Sequence, residues 1–348
     1  MSRYQRVIAA AVGVLVATAV GSAYAADKMT VVSWGGDFQK AEDQAFFTPF
    51  AKATGVQVNQ ETWEGELAKI RAMVEAKNVS WDVVVADFGH AITGCDEGFL
   101  EKIDKSRLGD LNDFVPGALH DCGVSTDVFA LIFAYDGNRL KDGPKTIADV
   151  FDTKKFPGKR GFRKQPKYVL EQALMADGVP AAKVYEVLGT PQGADRAFAK
   201  LDSIKKDIIW WSTNSQPAQL LADGEVVISE VFNGRIYDAV VNGGKNFVPV
   251  WDGQVYSTNT WIIPKGANKD LAQKMIEFAV QPEHLGQFSN LVPYAPARKS
   301  ALQYVSDKMK PFLPTAPQNF SNALGSNEEW WADHDEAMRE RFSKWIGQ

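Results

Sequence analysis

Trp34-Gly35-Gly36 closes an apolar run, and a bulky ring beside two glycines suits either of two chemistries. The glycines can cradle a phosphate, or they can turn the chain without bulk so that the ring walls a cleft. Spacing rejects the first: the stretch lacks the later glycine of GxGxxG and the GK[ST] ending of a P-loop. There is no GxSxG elbow and no HExxH motif. Asp37 with Glu42, or Glu61 with Glu64, could be posed as catalytic carboxylates, but helix-start and surface acids are the far better explanation. His90, His120, His284 and His334 are scattered and the two cysteines form no CxxC pair, so no metal site or other cofactor is expected. No enzyme constellation emerges.

Tryptophan is the more informative excess. Ten occur, and Trp34, Trp63, Trp210, Trp211 and Trp251 fall at strand ends or in polar loops. Core packing is the ordinary fate of such a ring. Trp34, set among glycines and an acid, suits a cleft wall as well as a core. A second piece, WWSTNSQPAQLL, places Ser212, Thr213, Asn214 and Gln216 before a helix. Its backbone N–H groups would suit an anion, although a capping run without a ligand reads the same.

The elements that must position these residues alternate. Met29–Trp34, Val56–Thr62 and Trp81–Asp87 read as strands, with helices around Gln39–Thr54 and Gly65–Lys77 between them. That order predicts a parallel sheet with both faces covered and ligands at the strands' C-terminal ends. A second α/β section runs through Phe156–Phe162, helices near Tyr168–Ala176 and Gly193–Lys200, and Gly224–Arg235. Val128–Asp136 and Ser257–Gly266 flank that section as paired crossing strands would. The tail from Lys308 to Gln348 is expected to pack as helices on one lobe.

Arg3 and Arg6, the apolar run Val7–Val20 and Ala23-Tyr24-Ala25 read as a signal peptide over residues 1–25, predicting an exported, periplasmic protein. Losing the two arginines takes the net charge from -5 to about -7, and an acidic chain without a basic tract argues against nucleic acid. In an oxidising compartment Cys95 and Cys122 are expected to close a disulfide, two buried free thiols being the alternative.

Several stretches carry a family resemblance: SWGGDF, AKATGVQV, TWEGELAKI, WDVVVAD, ADGEVVISEVFNG, TNTWIIPKG and PYAPARK, in that order. The chain resembles the solute-binding proteins of ABC importers, and more narrowly the spermidine/putrescine-binding group. The resemblance implies a two-lobed type II α/β fold with two hinge-crossing strands and a ligand cleft between the lobes. Residues 26–135 with 258–307 would form one lobe, and 136–257 with 308–348 the other. It also implies a monomer that captures a small-molecule solute and delivers it to an inner-membrane ABC permease.

Trp34 matches the aromatic that stacks on the ligand in polyamine binders. The carboxylates that hold ammonium groups there are mostly missing. The acidic pair falls on Lys164 and Gln165 beside Arg163, the helix glutamate on Tyr168, and a tryptophan on Phe232 with Arg235 following. The crossing-strand aspartate falls on Asn259 and its tryptophan on Ser257. A polycation desolvated beside Arg163, Lys164 and Arg235 would be repelled, whereas an arginine fork suits a carboxylate. The expected ligand is therefore a γ-aminobutyrate-like zwitterion, with a polyamine as the alternative. Of the three cations Arg235 is preferred for the carboxylate. Trp34, with Trp63 or Tyr256, would face the cationic end, and Asp87 or Glu61 would supply its counter-charge. Trp211 and Tyr294 complete the candidate site. An iron(III) carrier would need clustered Tyr and His, and an exported hydrolase a nucleophile and base; neither pattern is present.

Overall fold

Each short apolar run becomes a strand whose far end meets a glycine, an acid or an aromatic. A computed structural model describes residues 27–348, so the expected signal peptide lies outside the described residues. The strands are β1 (Lys28–Ser33), β2 (Gln57–Thr62), β3 (Val83–Asp87), β4 (Leu119–His120), β5 (Gly123–Asp136), β6 (Arg160–Arg163), β7 (Ile208–Trp211), β8 (Ile228–Phe232), β9 (Phe247–Ile262), β10 (Ala295–Pro296) and β11 (Leu324–Gly325). Eight of them order as β2-β1-β3-β9-β5-β8-β6-β7, with β4 and β10 paired to β5 and β11 to β9.

Two parallel groups result, β1 with β2 and β3, and β6 with β7 and β8. The long strands β5 and β9 run antiparallel to each other and stitch the groups together. Their pairing shifts register between Ser125 and Asp127 and between Leu131 and Phe133. Such bulges bend a ribbon where one half hands over to the other. The second crossing strand starts at Phe247, well before the expected Ser257. Asp252-Gly253-Gln254 breaks its apolar alternation, and Gly253 sits at φ +77, which hid the first part of the strand.

Period-two alternation supplies both faces of each group. On one face of the first, Met29, Val31, Val83 and Val85 meet Phe46, Phe50, Trp261 and Phe288. On the other, Val32, Val84 and Ala86 meet Trp63, Trp81 and Ile70. In the second group Leu131, Phe133 and Phe162 pack on Leu170, Leu174, Trp331, Phe342 and Trp345. The opposite face is Ala130, Ile132, Ala134 and Val231 over Ile236.

The helical run Gly36–Thr54 contains a π-helical stretch, Asp43–Phe47, and ends at Gly55 in the left-handed region. The tail is less helical than expected. Its long helix is Glu328–Ile346, capped by the Asn327 side chain, and the chain before it runs as turns that place Met309 and Leu313 on Val128 and Ala295.

Cys95 and Cys122 form a disulfide, their Cα atoms 5.7 Å apart and the residues 27 positions apart in sequence. The bond ties the helix Phe88–Asp96 to the start of β5. Closing a loop of this size removes denatured-state entropy worth about 3–4 kcal/mol. Cys95→Ser/Cys122→Ser is therefore expected to lower unfolding free energy by about 3 kcal/mol in urea titrations. A loss below about 1 kcal/mol would contradict that assignment of its contribution.

Candidate functional site

Asp87, Arg163, Trp211 and Phe232 are the last residues of β3, β6, β7 and β8, and Trp34 directly follows β1. The parallel strands of both halves thus end around one cleft of about 860 Å³. Trp34, Trp63, Asp87, Arg163, Tyr168, Phe232, Arg235, Asn259 and Tyr294 all line it.

One wall is built on Trp34. Gly35 and Gly36 stand at φ +71 and +61, and a Cβ on Gly35 would lie 3.2 Å from the Thr62 side chain. Only glycine makes this turn at little cost. The Trp34 ring stacks on Trp63 with centroids 5.4 Å apart and planes at 13°. Trp63 is itself anchored, its Nε1 donating to the Val85 carbonyl at 2.8 Å. Gly65, at φ +92, leaves room where a Cβ would touch both the Trp34 ring and His90 Cε1, at 3.5 and 3.6 Å. His90 lines the cleft with its Nδ1 enclosed and unpartnered, and burial lowers the affinity of the ring for a second proton. Burial at this wall favours the neutral ring over the imidazolium.

Arg163 carries the opposite wall. Its guanidinium lies over Phe232 and Trp211, at 5.1 and 5.9 Å from the ring centroids. Gln165, with its amide oxygen turned toward it, accepts from Nε at 3.1 Å and Nη1 at 2.6 Å. Behind it, Glu230 Oε2 accepts the Arg163 backbone N–H at 2.6 Å and makes no ion pair with the fork. Burial holds the guanidinium below its usual proton affinity. Among the described residues it is thus a desolvated cation without a salt-bridge carboxylate, aimed at the cleft. Arg235, preferred from sequence, instead sits exposed at the rim on the first turn of the helix Asn233–Val241.

Lys167 and Glu328 lie between these walls. Lys167 Nζ donates to Glu328 Oε2 at 2.6 Å, and Ser257 Oγ donates to Oε1 at 2.8 Å. Burial alone would raise the Glu328 carboxyl, but Lys167 beside it holds the group below the usual carboxylate range. Next to Lys167, Tyr168 is held at φ +75, uncommon for a bulky side chain, with its phenol buried and raised. Such backbone strain concentrates at ligand sites.

Several sequence expectations land elsewhere. Trp211 is fully buried beneath Arg163 rather than lining the cleft, and Tyr256 packs on Phe320 at 5.3 Å. Glu61 accepts from Trp81 Nε1 at 2.8 Å, away from the cleft lining, which also excludes Lys164. The Ser212 and Thr213 N–H groups donate to Gln216 Oε1 at 2.7 and 2.9 Å and so are not open to an anion, while Asn214 of the same run lines the cleft. Phe129, Lys167 and Glu328 were missed, and His90 was placed at the end of the Trp81–Asp87 strand without being named for the site. Phe129 was legible as an aromatic on a crossing strand; Lys167 and Glu328 lacked a local signal.

Four carboxyls are buried beneath the cleft, and burial pushes Glu42, next to Ser33, well up. Burial pushes Asp127 up to about 7, Glu171 up to about 7 and Glu230 up to about 8. Folded values above the unfolded ones mean that the native state favours the protonated forms. Their stabilisation is full below about pH 4 and is lost as pH rises through about 7–8. Unfolding free energy is expected to fall between about pH 4 and 8, and Glu230→Gln to flatten that limb. A wild-type curve level across this range would contradict the shifts.

No group of three or more metal-ligating side chains occurs among the described residues, and none of their helices is long and apolar enough to cross a membrane. The family model for bacterial extracellular solute-binding proteins matches residues 45–318. The chain is 45% identical over 321 residues to the γ-aminobutyric acid-binding protein of Pseudomonas aeruginosa PAO1, covering 92% of this chain and 91% of that one. It is 22% identical over 270 residues to the spermidine/putrescine-binding periplasmic protein of Escherichia coli K12, covering 75% and 76%. A solved GABA receptor superposes with a TM-score of 0.82 at 34% identity, covering 92% of this chain and 98% of that one. The likeness to solved binding proteins agrees with a two-lobed type II α/β architecture built around the crossing strands. By family match and by relatives spanning nearly its whole length, this chain belongs to the bacterial extracellular solute-binding proteins.

Proposed function

We propose that this protein is the periplasmic solute-binding component of an ABC importer and that its cleft captures a γ-aminobutyrate-like zwitterion. The observation that carries the reading is Arg163, a desolvated fork between aromatic faces with no ion-pair partner among the described residues. A carboxylate supplies the missing partner in a geometry that favours two parallel hydrogen bonds. The charges around it support a zwitterion over a polycation. Of the inner groups, Arg163 and Lys167 are matched in number by Glu328 and the more exposed Asp87, so a ligand of no net charge leaves these four balanced. The ammonium end then lies over the Trp34 face with Asp87 as counter-charge. The 45% identical relative named for γ-aminobutyric acid points the same way.

Residues 26–135 with 258–307 act as one lobe and 136–257 with 308–348 as the other, moving about β5 and β9. Closure brings the Arg163 wall to the Trp34 wall, and the ligand's higher affinity for the closed form supplies the shift. The closed monomer presents its solute to an inner-membrane permease. Calorimetry and thermal shift on the mature protein test this, with γ-aminobutyrate, common amino acids, proline betaine, putrescine and spermidine as probes. Saturable stabilisation by γ-aminobutyrate is expected. Stabilisation by polyamines alone overturns the reading.

A further inference from the structure

Asn259 stands where the polyamine-binding pattern has a carboxylate, yet both ends of its amide are engaged by the protein. Its Oδ1 accepts from Trp34 Nε1 at 3.0 Å, and its Nδ2 donates to Asp127 Oδ1 at 2.8 Å. Asn259 is 6% exposed and Asp127 is fully buried, its second oxygen accepting from Thr126 Oγ1 at 3.2 Å. The two residues face each other across β5 and β9 at the register shift between Ser125 and Asp127. Asn259 also pairs with Asp87 on β3. One line of hydrogen bonds therefore runs from the joint of the crossing strands to the aromatic wall.

The chemistry of the three groups suits an amide, which pairs with the indole donor on one side and an Asp127 oxygen on the other. An indole N–H only donates, and Asp127 offers acceptors. Only a group with an acceptor on one side and a donor on the other satisfies both. A carboxylate at 259 would set two buried acids against each other, which buried sites do not tolerate in ionised form. We propose that Asp127 and Asn259 are positioning residues that fix the Trp34 ring as the stacking wall of the solute site. On this view a carboxylate at 259 loses the wall instead of gaining an ammonium site. The inference rests on the reading that Trp34 faces the solute.

Two readouts separate the inference from that reading. In ligand-free protein labelled with 5-fluorotryptophan, the Trp34 signal is the one lost in Trp34→Phe. It is expected to shift or split in Asn259→Leu, Asn259→Asp and Asp127→Leu, and to return in Asp127→Asn, which keeps an acceptor facing the amide. If Asn259→Leu does not fold, Asn259→Ala is read in the same way. By calorimetry, Asn259→Leu is expected to weaken γ-aminobutyrate about tenfold, but less than about twofold in a Trp34→Leu background. Asn259→Asp is expected to gain no putrescine affinity. An unmoved fluorine signal, equal losses in both backgrounds, or tight putrescine binding by Asn259→Asp overturns the proposal. Failure of the wild type to bind γ-aminobutyrate defeats the functional reading alone, because the fluorine signal still decides the role of Asn259.

Discussion

Arg163→Ala is expected to weaken γ-aminobutyrate binding by roughly 30-fold to a few thousandfold, the range of 2–5 kcal/mol for truncating one partner of a desolvated charge pair. The size follows from the surroundings of the guanidinium. Phe232 and Trp211 exclude water from its faces, and Gln165 is a neutral partner. Deleting the side chain leaves the ligand carboxylate in that dry frame with only Lys167, already committed to Glu328. Arg163→Lys keeps the charge but not the fork, and is expected to recover only part of the loss. Selectivity should move as well. Without Arg163 the inner charges sum to one negative, so putrescine gains relative to γ-aminobutyrate. Calorimetry with both ligands checks this; γ-aminobutyrate affinity within about twofold of wild type would remove Arg163 from the site, and Arg235 would become the candidate.

How much of this was visible in the chain depends on how locally each feature is encoded. Strand ends were legible, because apolar runs stop where a glycine, acid or aromatic begins, and the topology sends those ends to one cleft. Trp34 and Asp87 were placed at the cleft that way, whereas Arg163 and Phe232 came from the family resemblance. The face a strand residue takes was harder. Ile208–Trp211 packs on both sides, so alternation does not say that Trp210 and Trp211 both stay out of the cleft lining. Tyr256 lies in mid-strand with no chain end to mark it. Asn259 was legible only as a missing acid. Its use appears once Trp34 and Asp127, 225 and 132 positions away, arrive beside it. Glu328 is further still from any local cue, since it meets Lys167 from 161 positions along the chain and only after the tail has crossed back over β9.

That distant pair carries the second large effect. Glu328→Ala is expected to cost about 3–5 kcal/mol of unfolding free energy, because it strands the Lys167 ammonium in a site that water barely reaches. The side chains are 14% and 7% exposed, so solvent does little to screen the loss. Glu328 is also the first residue of the helix Glu328–Ile346, where negative charge is favoured, and it accepts from Ser257. Lys167→Met removes the other member and leaves Glu328 with Asp87 in the cleft. The double variant Lys167→Met/Glu328→Leu removes both charges together and is expected to recover most of the stability. Binding should not recover in the same way. Arg163 then faces Asp87 as the only remaining opposite charge in the inner set, and the two can close on each other in place of the ligand. Urea titration paired with calorimetry separates the effects. A restored unfolding free energy with weak γ-aminobutyrate binding assigns the pair to organising the site. Recovery of both makes it a replaceable core contact, and a Glu328→Ala loss below about 1 kcal/mol contradicts its burial as a charged pair.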